Sequence, residues 1–258
     1  MSYVELPPPP SLSSLVACFW AITGPSGEHR VLPDGCIDLI VFGDGQVEVV
    51  GTMTEAILSP ALSAPVAAIR FLPGEAARLV PEAARELTDR DAPLRELWRD
   101  RGSVIEHDLL ERMRRSAKRE APELLATLSP AFSSILRSRL ASHADATDLR
   151  MREAVRLLGE GHSVRATAAR VNLSERQLSR RFTERVGVAP KLFGRVMRLQ
   201  RAANALADGG SPIDVATIAQ YTDQAHMNRD FRELARVTPA ALAREYAARG
   251  AGTSSSNT

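Results

Sequence analysis

The chain has 258 residues, 44% of them hydrophobic and 25% charged, the composition of a globular protein with a sizeable core. It lacks any run of about 18 apolar residues, which argues against a membrane-spanning helix. Its start, MSYVELPPPPS, lacks the basic region and apolar stretch of a secretory signal. Two cysteines, Cys18 and Cys36, cannot frame a disulfide-stapled fold, so a reducing, cytoplasmic setting is expected. The net charge of +2 conceals two halves of opposite sign. Residues 1–149 hold 15 Lys+Arg against 21 Asp+Glu, whereas residues 150–249 hold 18 against 10. Such a division predicts that the second half meets a polyanion. A chance clustering of solvated charges is the competing reading.

In chain order, residues 15–74 read as short strands. LVACFWAI, HRVLP, CIDLIVF, VEVVGTM and APVAAIRFLPG are rich in β-branched and aromatic residues. Pro33-Asp34-Gly35 and Gly43-Asp44-Gly45 between them carry turn chemistry. From about residue 75 the periodicity becomes helical, with candidates at 75–80, 92–99, 103–117 and 121–141; Pro93 is acceptable in a first turn. Leu109, Leu110 and Met113, then Leu124, Leu125, Leu128, Ile135, Leu136 and Leu140, recur at helical spacing. These stripes predict a surface that pairs two subunits, with packing on the β domain as the alternative. Residues 146–249 are helical with short breaks, and the closing GAGTSSSNT has the small, polar composition of a disordered tail.

The last hundred residues repeat themselves. TAARVNLSERQLSRRFTERVGVAP (167–190) aligns with VATIAQYTDQAHMNRDFRELARVTP (215–239), placing Ala168 on Ala216, Leu173 on Tyr221, Ser174 on Thr222, Phe182 on Phe231 and Pro190 on Pro239. One inserted residue between the turn and the phenylalanine is required. Each copy reads as a helix, a short break, a second helix and a proline stop, the pattern of a helix–turn–helix. Two crossing helices need a small residue where they touch, which Ala168 and Ala216 supply. Leu178 and Phe182, four apart, anchor the second helix and leave Arg176, Ser179, Arg180 and Arg181 outside or at the margin. Ser174 and Gln177 have capping-box spacing. A capped helix presenting arginines suits the major groove, where arginine bonds guanine O6 and N7 together. Residues 190–207 form the helix that joins the units, about 27 Å long at 1.5 Å per residue.

Residues 146–249 resemble the DNA-binding domain of the AraC/XylS family of bacterial transcription regulators. The resemblance rests on SERQLSRRF…VGVAPKLFGRVMRLQRA and DVATIAQYTDQAHMNRDFRELARVTP. It implies base reading from the second helix of each unit, by Arg176, Ser179 and Arg180, then by Gln224, His226, Asn228 and Arg229. Arg195 on the joining helix is assigned to phosphate. The chain departs from the family pattern at Asn172 and Gln220, where each turn usually has glycine, and at Arg236, the counterpart of Gly187. The N-terminal part resembles the β-rich sensor-like domain of one branch of the family, through VLPDGCIDLIVF, the glycine of VVGTMT, and RFLPGEAARL followed by ELTDRDAPLRELW.

Plainer roles compete at several positions. Arg165 and Arg170 read equally as solvated residues or phosphate contacts, Gln177 as a cap before a base contact, and His226 as a base contact before a surface filler. Cys18 and Cys36 read as buried structural thiols, Asp34 and Asp38 as turn and strand-edge residues. Residues 164–201 carry ten Lys+Arg against two acids and residues 212–246 four against five, which predicts that the first unit supplies most of the salt-sensitive grip. Catalytic and metal sites are not expected. His29, His107, His143, His162 and His226 are dispersed, no HExxH, CxxC, GxSxG or P-loop pattern occurs, and two cysteines cannot supply a four-cysteine zinc site.

The expected fold class is therefore α+β. It comprises a β-rich sensor-like domain (1–91), a helical linker with a dimerisation surface (92–143), an all-α domain with two helix–turn–helix units (146–249) and a disordered tail (250–258). The expected function is sequence-specific transcriptional regulation, without enzymatic activity or cofactor. Its partners would be double-stranded DNA, a small-molecule effector, a second copy in a homodimer and, for an activator, RNA polymerase, with no membrane. The alternative is a constitutive DNA-binding protein whose N-terminal domain binds a protein partner.

Overall fold

A computed structural model describes residues 2–25, 27–79, 84–98, 101–142 and 148–250. The N-terminal half is built on a six-stranded antiparallel sheet. Its strands are β1 (Ser2–Leu6), β2 (Val16–Thr23), β4 (Asp38–Phe42), β5 (Val47–Val50), β7 (Val66–Phe71) and β8 (Asp91–Pro93), in the order β1-β2-β7-β4-β5-β8. Two short strands, β3 (His29–Val31) and β6 (Ile57–Ser59), form a separate ribbon. The period of two in each strand sorts side chains between the faces. Phe19, Ala21, Leu39, Ala67, Ile69 and Phe71 enter the main core, while Cys18, Trp20, Ile22, Val66 and Ala68 form a smaller cluster apart from it.

Three helices cover the main face: α1 (Leu94–Leu97), α2 (Gly102–Ser116) and α3 (Ala121–Ser142). Leu109, Met113, Leu124, Leu128 and Leu136 are almost wholly buried in the same cluster as Phe19, Leu39 and Ile69, with Leu110 and Ile135 packed against it. The stripes expected to pair two subunits are thus used within the chain. The helix expected at 92–99 is also different. Residues 91–93 close the sheet edge, with Pro93 opposite Glu48, and among the described residues of that stretch only Leu94–Leu97 are helical. A proline has no N–H for a ladder and is tolerated at such an edge. The helix expected at 75–80 is a 3-10 turn at Ala76–Arg78. β1, in the proline-rich start, was not anticipated. It alternates over five residues and pairs with β2 from Ser2↔Thr23 to Leu6↔Phe19.

The C-terminal half consists of α4 (Leu149–Gly159), α5 (Val164–Arg170), α6 (Glu175–Val186), α7 (Pro190–Ala207), α8 (Pro212–Ile218), α9 (Gln224–Asp230) and α10 (Pro239–Gly250). α9 continues through a π-helical turn at Phe231–Ala235. Two cores flank α7. One gathers Met151, Leu158, Ala168, Leu178, Phe182 and Phe193; the other gathers Val196, Leu199, Ala216, Tyr221, Met227 and Phe231. The tail expected to be disordered lies, beyond Gly250, outside the described residues.

Candidate nucleic-acid interface

The two helix–turn–helix units are α5–α6 and α8–α9. Ser163 caps α5 through Ala166 N–H, and Ser211 caps α8 through Asp214 N–H. At the turns Asn172 and Gln220 both take the left-handed conformation, with φ of 54° and 61°. Gln220 therefore does what the family's glycine does, against a steric cost of roughly 1–2 kcal/mol. Beyond the reading helices, Gly187 has φ 96° and its counterpart Arg236 φ 59°. The capping box is formed: Gln177 N–H donates to Ser174 Oγ at 3.2 Å, and Ser174 N–H to Gln177 Oε1 at 2.9 Å. The second reading helix is capped by Asp223, whose Oδ1 accepts from His226 N–H at 2.6 Å. Ser174 therefore corresponds to Asp223 and not to Thr222, which makes Thr222 the inserted residue. From there on the units run 49 positions apart, as Phe182/Phe231 and Pro190/Pro239 do. Ser179 then matches Asn228, and Arg180 matches Arg229.

Each reading helix hides one side and shows the other. Leu178, Phe182, Met227 and Phe231 are buried. Arg176, Arg180 and Arg181 on α6 are exposed, with Ser179 half-buried beside them. On α9, Gln224 and Arg229 are exposed and Asn228 is half-buried. His226 is half-buried, edge-on to Tyr221 at 5.2 Å. Among the described residues Arg176, Arg180, Arg181 and Arg229 form no salt bridge, nor do Arg165 and Arg170 on α5, also exposed. These exposed cations make no direct ion pair among the described residues, with Glu233 acting on Arg229 and Glu153 on Arg170 only at longer range. Gln177 is occupied as a cap.

Arg195 differs from the expectation. Its guanidinium lies 2.8 Å from Asp230 Oδ1 and also contacts Glu233 Oε2, tying α7 to the end of the second reading helix. The Asp230 side chain is only 4% exposed, so Arg195 neutralises a charge inside the protein. The other acids of the second unit are also engaged. Asp214 accepts from Ser211 Oγ, Asp223 caps α9, and Glu245 receives the Arg30 guanidinium at 3.2 Å. These contacts leave the formal charges in place, so the second unit keeps four bases against five acids and the expected inequality between the units is a matter for salt titration.

A family model described as a helix-turn-helix domain matches residues 167–245, and one described as a domain of unknown function, DUF6597, matches residues 4–93. Residues 167–245 form a helix-turn-helix domain. Helix-turn-helix domains of this architecture are DNA-binding modules. A search of curated proteins returns no match. Among solved structures, a transcriptional regulator with an AraC-type DNA-binding domain from Chromobacterium violaceum is 25% identical, covering 38% of this chain and 92% of its own, with a TM-score of 0.36. An apo point variant of ToxT from Vibrio cholerae strain SCE256 is 10% identical, covering 88% and 97%, with a TM-score of 0.46. ToxT from Vibrio cholerae O395 bound to (E)-4-(8-methylnaphthalen-1-yl)but-3-enoic acid is 8% identical, covering 95% and 100%, with a TM-score of 0.46.

The helix-turn-helix domain is fastened to the N-terminal half at places the sequence did not mark. Fully buried Thr52 donates from Oγ1 to Val186 O at 2.7 Å, and Thr88 Oγ1 to Gly187 O at 2.8 Å. Four residues after Thr52, Ala56 N–H donates to Leu234 O at 2.6 Å. Arg30 Nη1 donates to Ala235 O at 3.2 Å, and Arg236 pairs with Glu55. Val186 and Ala235 are equivalent, as are Gly187 and Arg236. The segment from Thr52 to Ala56 thus holds the same end of both reading helices, opposite the ends that carry their caps. Gly51 admits this path because its backbone lies against Leu87; a Cβ there would fall 1.7 Å from Leu87 O. The Pro33-Asp34-Gly35 turn packs on α7. Asp34 Oδ1 accepts from Cys36 N–H at 2.9 Å, Pro33 O accepts from Gln200 at 2.7 Å, and Gly35 (φ 78°) abuts Phe193. A further tie joins Arg152 Nε to Glu75 Oε1 at 2.7 Å.

On the same turn, Arg70 bridges Asp34 at 3.4 Å and Asp38 at 3.0 Å, and Trp20 Nε1–H donates to Asp38 at 3.0 Å. Burial raises the Asp38 carboxyl to about 6, against the pull of Arg70. Burial likewise raises the Cys36 thiol, and pushes that of Cys18 up to about 12, so both stay protonated at neutral pH. Among the described residues no group of His, Cys, Asp and Glu could hold a metal.

Proposed function

We propose that the protein regulates transcription by binding a specific DNA sequence through both units, under the control of its N-terminal domain. The observation that carries base reading is the set of exposed, unpaired arginines on the reading helices, matched between units at Arg180 and Arg229. Arg176, Ser179, Gln224, His226 and Asn228 complete the reading set. The 18-residue helix α7 that joins the units is about 27 Å long, of the order of the roughly 34 Å of one DNA turn. Selection of bound sequences from random duplexes, followed by footprinting, tests this reading. Two protected major-groove segments on one face are expected; a single segment with the second unit intact would refute it.

Control by the N-terminal domain draws support from the Thr52–Ala56 segment. A small-molecule effector bound in residues 1–91 would act by altering how that segment holds the two units. A ligand that favours one arrangement must raise stability and change DNA affinity together. The other reading is constitutive DNA binding with a protein partner on the N-terminal domain, and it predicts no such linkage with any small molecule. A homodimer and, in an activator, RNA polymerase are further partners in this proposal. A homodimer would need a surface other than the buried leucines of α2 and α3, and sedimentation at micromolar concentration tests for it.

A further inference from the structure

A cleft of about 320 Å³ lies between the two units. His162 and Ser163 line it from the turn before α5, Lys191, Arg198 and Arg201 from α7, and Gln220 from the second unit's turn. Positions 191, 194, 198 and 201 share one face of a helix, and Gly194 keeps the space between the cations open. Among the described residues no carboxylate lines the cleft, Lys191, Arg198 and Arg201 form no salt bridge, and the buried Nε atoms of Arg198 and Arg201 have no hydrogen-bond partner. Both guanidinium groups are nonetheless held. Arg201 Nη1 donates to Gly159 O, and Arg198 lies over the Tyr221 ring at 5.3 Å. Burial and the neighbouring Arg198 charge lower the pKa of Arg201, as expected where like charges gather without a counter-ion.

The location says which anion fits. Tyr221, under Arg198, packs on His226 of the second reading helix, and Gly161 of the first unit's side touches Gln220. The N-terminal half uses a different face of α7, through Phe193 and Gln200. A duplex that reaches both units crosses between them with the backbone that separates its two major-groove segments, and the cleft lies between the units. We propose that this cleft seats a DNA backbone phosphate from that central stretch, bound by Lys191, Arg198 and Arg201. The inference rests on the DNA-binding reading above and adds a sequence-independent contact to it.

The test titrates the full-length chain with salt on a random duplex of about 40 base pairs. It compares wild type, Lys191→Gln/Arg198→Gln/Arg201→Gln, and Lys118→Gln as a distant control. The triple variant is expected to flatten the dependence of log K on log salt by about 0.9, the loss of one neutralised phosphate, while the control matches wild type. On a selected operator, neutral methylphosphonates at the central positions should weaken wild type and leave the triple variant indifferent. An unchanged slope in a folded triple variant would overturn the proposal. If that variant does not fold, the methylphosphonates decide with wild type alone, and indifference to them overturns it. Failure of wild type to bind any duplex would instead remove the DNA-binding reading beneath it.

Discussion

Replacing Arg195 by alanine separates a structural role from a DNA-binding one. Arg195 is 26% exposed, whereas its partner Asp230 is 4% exposed, so the substitution leaves a carboxylate stranded in the second unit's core. Breaking a buried pair from one side costs about 3–5 kcal/mol; the partial exposure of Arg195 lowers the expectation to about 2–4 kcal/mol. For a chain of this size each kcal/mol shifts the melting temperature by about 2–4 °C, giving a loss of roughly 5–15 °C. Adding Asp230→Asn should restore most of it, because the stranded charge is then gone. Thermal melting followed by circular dichroism measures both effects. If Arg195→Ala instead melts like wild type while the salt slope of non-specific binding flattens by about 0.9, Arg195 is a phosphate contact and the reasoning fails.

Arg180→Ala and Arg229→Ala should each cost about 1–3 kcal/mol on the selected operator and relax one position, with similar small effects on random DNA. Competition binding checks this, and a much larger effect of Arg180→Ala on random DNA would show that the two arginines do unequal work, as the charge counts suggest. Gly35→Ala should loosen the hold on α7, since its Cβ would lie 2.6 Å from Phe193 Cε2 at a φ of 78°. A loss of about 1–3 kcal/mol is expected in melting, together with a change in DNA affinity. Asp38 titrates near 6 in the folded protein, above the ordinary 3.8, so between these values the folded state holds a proton that the unfolded state releases. Stability should therefore fall as pH rises through that window, and Asp38→Asn should flatten the fall.

Legibility in the sequence followed the range of the interactions. α7 was readable to the residue, because Pro190 fixes its start and the apolar spacing runs unbroken to Leu206. The Ser174–Gln177 box and the paired alanines were readable because both are local patterns. Three outcomes were not readable, and each depends on contact between distant segments. The leucines of α2 and α3 have the same spacing whether they meet a sheet or another subunit; only the apolar face of β2, β4 and β7 decides. Arg195 looks like any other helical arginine until Asp230, 35 residues later, is brought beneath it. Thr52 and Thr88 carry no motif at all. Their hydroxyls matter because they meet the carbonyls left open where α6 ends.

That last contact bears on how the proposed control of DNA reading by the N-terminal domain would operate. The Thr52–Ala56 segment and its neighbours hold carbonyls at the C-terminal ends of the reading helices, while Arg176, Arg180 and Arg229 stand away from those ends and remain exposed. Grip and reading therefore occupy different parts of the same helices, and one can change while the other stays intact. Leverage is large. Over the roughly 27 Å of α7, a tilt of about 10° displaces the far unit by about 5 Å. That exceeds the rise of about 3.4 Å between base pairs along one strand. Both units reach their bases together only when the separation is correct to within a fraction of that rise. Hydrogen bonds such as those of Thr52 and Ala56 each contribute about 0.5–1.5 kcal/mol net. Two or three of them, made in one arrangement and lost in another, amount to the 1–3 kcal/mol over which allosteric coupling typically operates.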